Sequence, residues 1–303
     1  MVPQVKPLPA KPVACATGYL HPLRFALMQL HLTDWTRSVV DVLTQPPGGQ
    51  QLRALAAWLR RLSIADHFVL FIYEGSYRPL ALFDTFTAEQ RCIFIDEYQT
   101  GPYLLDPFYL ACHPEQSEGV YSMRQLAPDQ FYNSEYFLTY YHHLGLCEEV
   151  GFFITLRPDT HGVLSLMRRR GRTRFFDDEI RQLESAVPVV SAAVRAAWEA
   201  NSQAAARPMD DHDHLVQEAF ANFGRGSLTE REREVVRLLL QGHSSQSIAQ
   251  KLRISPATVK VHRKNLYEKL GIGSQSELLA LFVQAIKGKS LNPAKAICSQ
   301  ELG

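Results

Sequence analysis

Two stretches of the 303-residue chain carry side chains whose types and spacing could do chemistry. The first is Ser255-Pro-Ala-Thr-Val-Lys-Val-His-Arg-Lys264. A lysine ammonium can donate to guanine O6 and N7 and a valine methyl can pack on a thymine methyl, while hydroxyls and guanidinium suit phosphate oxygens. The second is an aromatic excursion: the 44 residues from Tyr98 to Tyr141 hold eleven Phe or Tyr, where the chain average of 10% would give about four. Tyrosine supplies an apolar body with one hydroxyl, and small-molecule pockets combine such walls with a few placed polar groups. Asp106 lies within it and could accept from an ammonium, amide or hydroxyl. The candidate ligand-binding residues are therefore Tyr98, Tyr103, Asp106, Phe108, Tyr121, Tyr136 and Tyr140. The plainer alternative is that these aromatics fill a core and that Asp106 caps the short helix after it.

Other clusters point to less. Asp210-Asp-His-Asp-His214 has metal-binding residue types but sits in a polar stretch with no rigid scaffold, so it reads as solvated linker and no metal is expected. Five cysteines (Cys15, Cys92, Cys112, Cys147, Cys298) are odd in number, widely spaced and lack a Cys-x-x-Cys pair. That spacing argues against a disulfide framework or zinc site and for a reducing cytoplasm. No nucleophile elbow, phosphate loop, His-rich metal spacing or kinase signature is present. No catalytic residue and no cofactor are expected, and the chain reads as a binder and not an enzyme.

The cationic run needs helices to hold it. Thr229 with Glu232 three residues on forms a capping box for a helix carrying Val235, Val236, Leu238, Leu239 and Leu240, stopped at Gly242. A second short helix opens at Ser244 or Ser245, bears Ile248, Ala249 and Leu252, and ends near Arg253. Ser255 is a good N-cap and Pro256 fits the first position of a third helix, which runs to Leu270 with Val259, Leu266 and Leu270 inward and Lys260, Arg263, Lys264 and Lys269 outward. Ser274 with Glu277 starts a fourth, bearing Leu278, Phe282, Ala285 and Ile286. Two helices joined by a tight turn, the second with a cationic face, form the helix-turn-helix that lays its second helix in the DNA major groove.

Leu228-Thr-Glu-Arg-Glu-Arg-Glu-Val, Gly242, Ile248-Ala249, Leu252, Ile254-Ser255, Thr258-Val-Lys-Val-His262 and Lys269-Leu-Gly271 together resemble the LuxR/FixJ-type DNA-binding domain. The resemblance implies that Lys260, Val261 and Lys264 face base edges, while Ser255, Thr258, His262 and Arg263 contact phosphates or fix register. Val236, Ser245 and Gln275 depart from the family's more frequent Leu, Asn and Arg, the last removing a possible phosphate contact. Charge agrees: residues 228–290 hold eleven Lys+Arg against five Asp+Glu, net +6, so with +1 overall the rest is −5. A cationic module joined to an acidic one fits a reader of double-stranded DNA that avoids indiscriminate polyanion binding.

Upstream, helices are expected over 22–43 and 51–64, then a hairpin from His67–Tyr73 and Leu80–Phe86 across a Gly and Pro turn. Helical character follows over 87–99 and 129–143. A second hairpin pairs Glu149–Leu156 with Gly162–Arg168, and a long helix starts at Asp177, with a kink expected at Pro188. This order, with Phe175-Phe-Asp-Asp-Glu-Ile180, is similar to GAF/PAS-like sensory domains and to the α/β/α sandwich in which LuxR-type regulators bind acyl-homoserine lactones. Asp106-Pro107, Gly145-Leu146 and Gly151 match that family's pattern. Its Trp-x-x-x-Tyr pair is missing, Tyr121 stands where a second Trp would be, and the three tryptophans, Trp35, Trp58 and Trp198, lie elsewhere.

The expected fold is α+β: a disordered lead-in over 1–20, an α/β/α sensory and dimerisation sandwich with antiparallel sheet over 21–200, a linker over 201–226, a four-helix DNA-binding unit over 227–288 and a loose tail over 289–303. The expected function is a cytoplasmic, homodimeric transcriptional regulator responding to a small metabolite, cationic or hydroxylated, with RNA polymerase as a further partner. The alternatives are an acyl-homoserine-lactone receptor, and a constitutive or partner-controlled regulator whose N-terminal unit only dimerises. No run of about 18 apolar residues is present, so no membrane span is expected.

Overall fold

The computed structural model describes residues 32–75, 77–112, 116–142, 145–204 and 218–287. The expected lead-in, the tail and half of the linker (205–217), including the Asp/His run, lie outside these. Helices α1 (Leu32–Leu43) and α2 (Gly49–Ser63) come first, then strands β1 (His67–Glu74) and β2 (Leu80–Asp84). A long excursion carries β3 (Gly119–Ser122), and β4 (Leu146–Arg157) and β5 (Thr160–Arg169) complete the sheet before helix α3 (Asp177–Ala204). The five strands are ordered β2-β1-β5-β4-β3, all antiparallel.

Alternation along the strands sorts the side chains onto two faces, because successive residues point oppositely. Phe68, Leu70 and Ile72 of β1, Val150, Phe152 and Ile154 of β4, and Leu164 and Leu166 of β5 pack under α2 and α3, against Leu55, Trp58, Leu59, Leu183, Val190 and Val194. Val69, Phe71, Tyr73, Phe153, Val163 and Met167 face the other way, toward the excursion. On the helical side, the buried Arg168 guanidinium spans several elements. It donates to Thr173 and Arg174 carbonyls (both 3.0 Å), to Glu179 Oε1 (2.6 Å) and to the Ser63 carbonyl at the end of α2. It also lies 3.8 Å from the centroid of the Phe175 ring.

The excursion is more broken than its sequence suggests. The stretch expected as one helix over 87–99 is an α-helical turn (Ala88–Arg91), a π-helical segment (Cys92–Glu97) and a 3-10 turn (Tyr98–Thr100). The one expected over 129–143 divides into a 3-10 turn (Phe131–Asn133), a turn of α-helix (Glu135–Phe137) and a second π-helical segment (Leu138–His142). Ser134 causes the division: its extended backbone ends the first piece, and its hydroxyl accepts the Phe137 amide at 3.2 Å to cap the next. Strand β3 was not expected, being a short edge strand whose two polar and two apolar residues give little pattern. Cys112 and Cys147 are free thiols, whereas Cys92 is disulfide-bonded, in contrast to the reducing cytoplasm that the cysteine spacing predicts.

Helices α4 (Glu230–Leu240), α5 (Ser245–Leu252), α6 (Pro256–Leu270) and α7 (Gln275–Lys287) form the C-terminal unit. Its caps are those the sequence encodes. The Thr229 and Glu232 box is formed, Ser244 accepts from Ser247, Ser255 accepts from Thr258, and Gly271 ends α6 at φ 67°. Val235, Ile248, Val259, Leu266, Leu278 and Phe282 close its core, and none is more than 0% exposed.

Candidate functional site: an acidic aromatic cavity and a cationic helix face

Helix α6 presents two opposite faces. Val259 and Leu266 are buried, whereas Ser255, Thr258, Lys260, Val261 and Lys264 are exposed, with Val261 57% exposed. Its exposure leaves the Val261 methyls free to pack on a thymine methyl. Ser255 and Thr258 hydroxyls share a 2.8 Å hydrogen bond at the helix start, and Lys264 lies 3.7 Å from Glu268, an exposed pair worth little. His262 and Arg263 are half-buried; Arg263 donates to Ser245 Oγ at 3.3 Å and ties α6 to the start of α5. Lys269 points elsewhere: its ammonium holds buried Glu232 at 2.7 Å. Gln275 donates to the Leu239 carbonyl at 2.9 Å, closing the end of α4.

On the excursion side of the sheet lies a cavity of about 30 Å³. Four of the seven expected ligand residues, Tyr98, Asp106, Tyr136 and Tyr140, line it, and Tyr103, Phe108 and Tyr121 do not. Tyr103 is fully buried behind it, edge-on to Tyr109. Phe108 fills core, edge-on to Phe153, where Gly151 leaves room for its ring. Tyr121 sits on edge strand β3, half-buried against Phe153, with its hydroxyl on the Ser117 carbonyl at 3.1 Å. Sequence reasoning missed Phe71, Tyr73, Tyr141, Ser165 and above all Glu149. Alternation from Val150 would have placed Glu149 on this face, but not in this cavity.

The polar groups form two sets. Asp106 caps the helical turn Pro107–Ala111 through the Phe108 amide (2.7 Å) and accepts the Tyr98 hydroxyl (2.8 Å), which meets the Tyr73 hydroxyl at 2.9 Å. Thus the capping role and the cavity position hold together. Glu149, 3% exposed, is hydrogen-bonded by Ser165 and Tyr141, yet its Oε2 has no partner, and neither has the Tyr136 hydroxyl. Burial pushes the Asp106 carboxyl up to about 6, partly offset by the hydrogen bonds from Phe108, Tyr98 and Tyr109. Burial and then the neighbouring Asp106 push Glu149 up to about 8. Among the described residues the lining holds no Lys, Arg or His.

The two sites are joined by direct contact. Phe131 rests against Tyr136 and Tyr141, with ring centroids 6.0 and 6.1 Å away. Its other side meets the turn between α4 and α5, where a Cβ on Gly242 would sit 2.8 Å from the Phe131 backbone. Gln130 donates to the Gly242 carbonyl and Asp129 accepts the Ser244 amide at the N-cap of α5, both at 3.0 Å. A second close approach lies at Gly101, whose Cβ would meet Ile286 of α7 at 2.6 Å.

Comparison with known proteins finds relatives of both parts of the chain. The profile of "Bacterial regulatory proteins, luxR family" matches residues 226–282. An HTH-type transcriptional regulator of Aeromonas salmonicida, from the exeN 3' region, is 37% identical over 185 residues, 59% of this chain and 93% of that protein. The transcriptional regulatory protein UhpA of Escherichia coli is 53% identical over 51 residues, 17% of this chain and 26% of its own. Among solved structures, the VqsR LBD domain of Pseudomonas aeruginosa is similar with a TM-score of 0.49 and 26% identity, over 55% of this chain and 95% of that one.

Proposed function

This chain belongs to the luxR family of bacterial regulatory proteins and is a DNA-binding transcriptional regulator, and on that premise we propose that a small effector held in the aromatic cavity sets how the C-terminal unit meets DNA. The observation that carries the reading is the unbroken packing from the cavity wall, through Tyr136, Tyr141 and Phe131, to the turn that opens α5. An occupant that displaces those tyrosines moves Phe131. An effector shifts such an equilibrium by its differential affinity for the two arrangements.

In this reading Lys260, Val261 and Lys264 reach base edges, while Ser255, Thr258, His262 and Arg263 meet phosphates or fix register. Asp129 lies at the N-cap of α5, a position where a DNA phosphate would otherwise be favoured, so docking of the two units opposes binding. The regulator works as a homodimer in the cytoplasm, since helix-turn-helix units read paired half-sites, and RNA polymerase is its partner at the promoter. It binds its effector without converting it, so the effector is recovered intact. Phe282, at 0% exposure against Phe220 and Phe223, is core, which leaves α1, with exposed Val40 and Leu43, and α3 as dimer surfaces.

The test is a Lys260→Ala, Lys264→Ala double variant on a duplex selected from a random pool, at matched salt. It should bind at least about tenfold more weakly while melting as the parent does. Unchanged affinity refutes the groove assignment.

A further inference from the structure

The cavity holds the ingredients for one class of ligand. Two carboxyl groups, Asp106 at 4% and Glu149 at 3% exposure, face a space walled by Phe71, Tyr73, Tyr98, Tyr136, Tyr140 and Tyr141. Among the described residues its lining includes no cation of the protein's own. Glu149 Oε2 and the Tyr136 hydroxyl are buried and without partners, and a buried polar atom left so is costly unless something else supplies its bond. Asp106, by contrast, already takes three donors, from Phe108, Tyr98 and Tyr109, so it contributes charge more than free acceptor sites.

We propose that the effector is a protonated primary amine, its ammonium bound between Glu149, Asp106 and the Tyr136 oxygen and its carbon body against the aromatic wall. An ammonium offers three donors and no acceptor, matching a site built of carboxylate oxygens, and aromatic faces attract a desolvated cation. An uncharged hydroxylated ligand would supply no counter-charge, so both acids would stay held toward the neutral form and their ionised oxygens would go unused. Burial already holds both acids toward the neutral form when the cavity is empty, so the amine displaces protons as it enters. At about 30 Å³ the cavity has room for water but little else, since one water needs roughly 10–15 Å³. Room for a larger body comes from the wall itself. Ile93, Phe94, Tyr140 and Tyr141 lie on the two π-helical segments, a rare winding that recurs at functional sites.

This inference rests on the effector-binding reading, and one experiment separates the two. The full-length protein is titrated by calorimetry and thermal shift with methylamine, putrescine and phenethylamine, each beside its uncharged counterpart methanol, butanediol or phenethyl alcohol. Acyl-homoserine lactone serves as a neutral control. At least one amine should bind and stabilise where its alcohol does not. Its affinity should rise about tenfold or more from pH 6 to pH 8, and fall about tenfold or more in Glu149→Gln. Gln keeps the shape, and a Phe108→Leu variant, altering core behind the cavity, should retain amine binding. An alcohol or lactone binding as well as the amine, with Glu149→Gln indifferent, overturns the cation and leaves the effector reading standing. Stabilisation by nothing in the series overturns both.

Discussion

Replacing Glu149 with glutamine should stabilise the empty protein, by an amount that depends on pH. In the unfolded chain the carboxyl ionises near 4.5, and in the folded chain only near 8. Below pH 4.5 both states are protonated and the group contributes nothing. As pH rises the unfolded state ionises while the folded state cannot, so stability drains away until pH passes about 8 and then levels off. At pH 7 the gap is about 2.5 units, or on the order of 3 kcal/mol. Glutamine, which cannot ionise, removes that penalty and can still accept from Ser165 and Tyr141. For a unit of this size roughly 2–4 °C accompanies each kcal/mol, so Glu149→Gln should melt roughly 6–12 °C higher at pH 7. The two proteins should converge near pH 5. Titration of the neighbouring Asp106 near 6 adds a shallower slope common to both. The surrounding phenols of Tyr73, Tyr98, Tyr136 and Tyr141 are all raised, burial being the main cause, and stay neutral throughout. Scanning fluorimetry across this range is the assay. A variant melting at or below the parent at pH 8, or a difference that does not grow with pH, would refute the premise that Glu149 is held neutral by a dry, acid-paired cavity.

Three further outcomes test the join between the units and the helical core. Asp129→Ala removes the acceptor at the Ser244 amide; that contact is exposed and worth about 1 kcal/mol, so DNA affinity of the effector-free protein should rise roughly threefold to sixfold by anisotropy. Gly101→Val drives a branched side chain into Ile286 at a backbone angle of φ 148°, and should separate the units, seen as a larger radius of gyration with helix content kept. Glu232→Ala should lower the melting temperature of the helical unit, since it removes the Lys269 pair and undoes the Thr229 box, at a loss of about 2 kcal/mol. Burial pushes the Glu232 carboxyl up, but the Lys269 ammonium and the Thr229 amide and hydroxyl more than offset it, leaving it below 4.5. Its stabilisation is therefore present above pH 4.5 and lost as pH falls through the lower folded value, so acid melting should differ least between parent and variant at the lowest pH.

What could be read from the chain alone follows the range of the interactions involved. The C-terminal unit was legible because its boundaries are written within four residues of themselves: Thr229 with Glu232, Ser255 with Pro256, and Gly271 in the left-handed conformation. The hairpins were legible from runs of aromatic and β-branched residues. The excursion was not, because Ser134 and the tyrosines around it serve packing against the sheet and the DNA-binding unit before any regular helix. Glu149 escaped notice for a related reason. Glu148 and Glu149 are neighbours of the same type, and only the strand pairing decides that one meets Arg124 while the other enters the cavity. Tyr121 was over-read because aromatic enrichment says nothing about which strand is an edge.

The Arg168 guanidinium deserves a mechanical reading. By gripping the end of α2, the loop after β5 and the first turn of α3 at once, it makes the helical side of the sheet a fixed backplate. The aromatic side, wound in short π-helical and 3-10 pieces, has no such clamp among the described residues, and it is the side on which the DNA-binding unit rests. A single buried cation, one residue along the strand from Met167 of the cavity wall, thereby anchors the sheet on the face opposite the cavity.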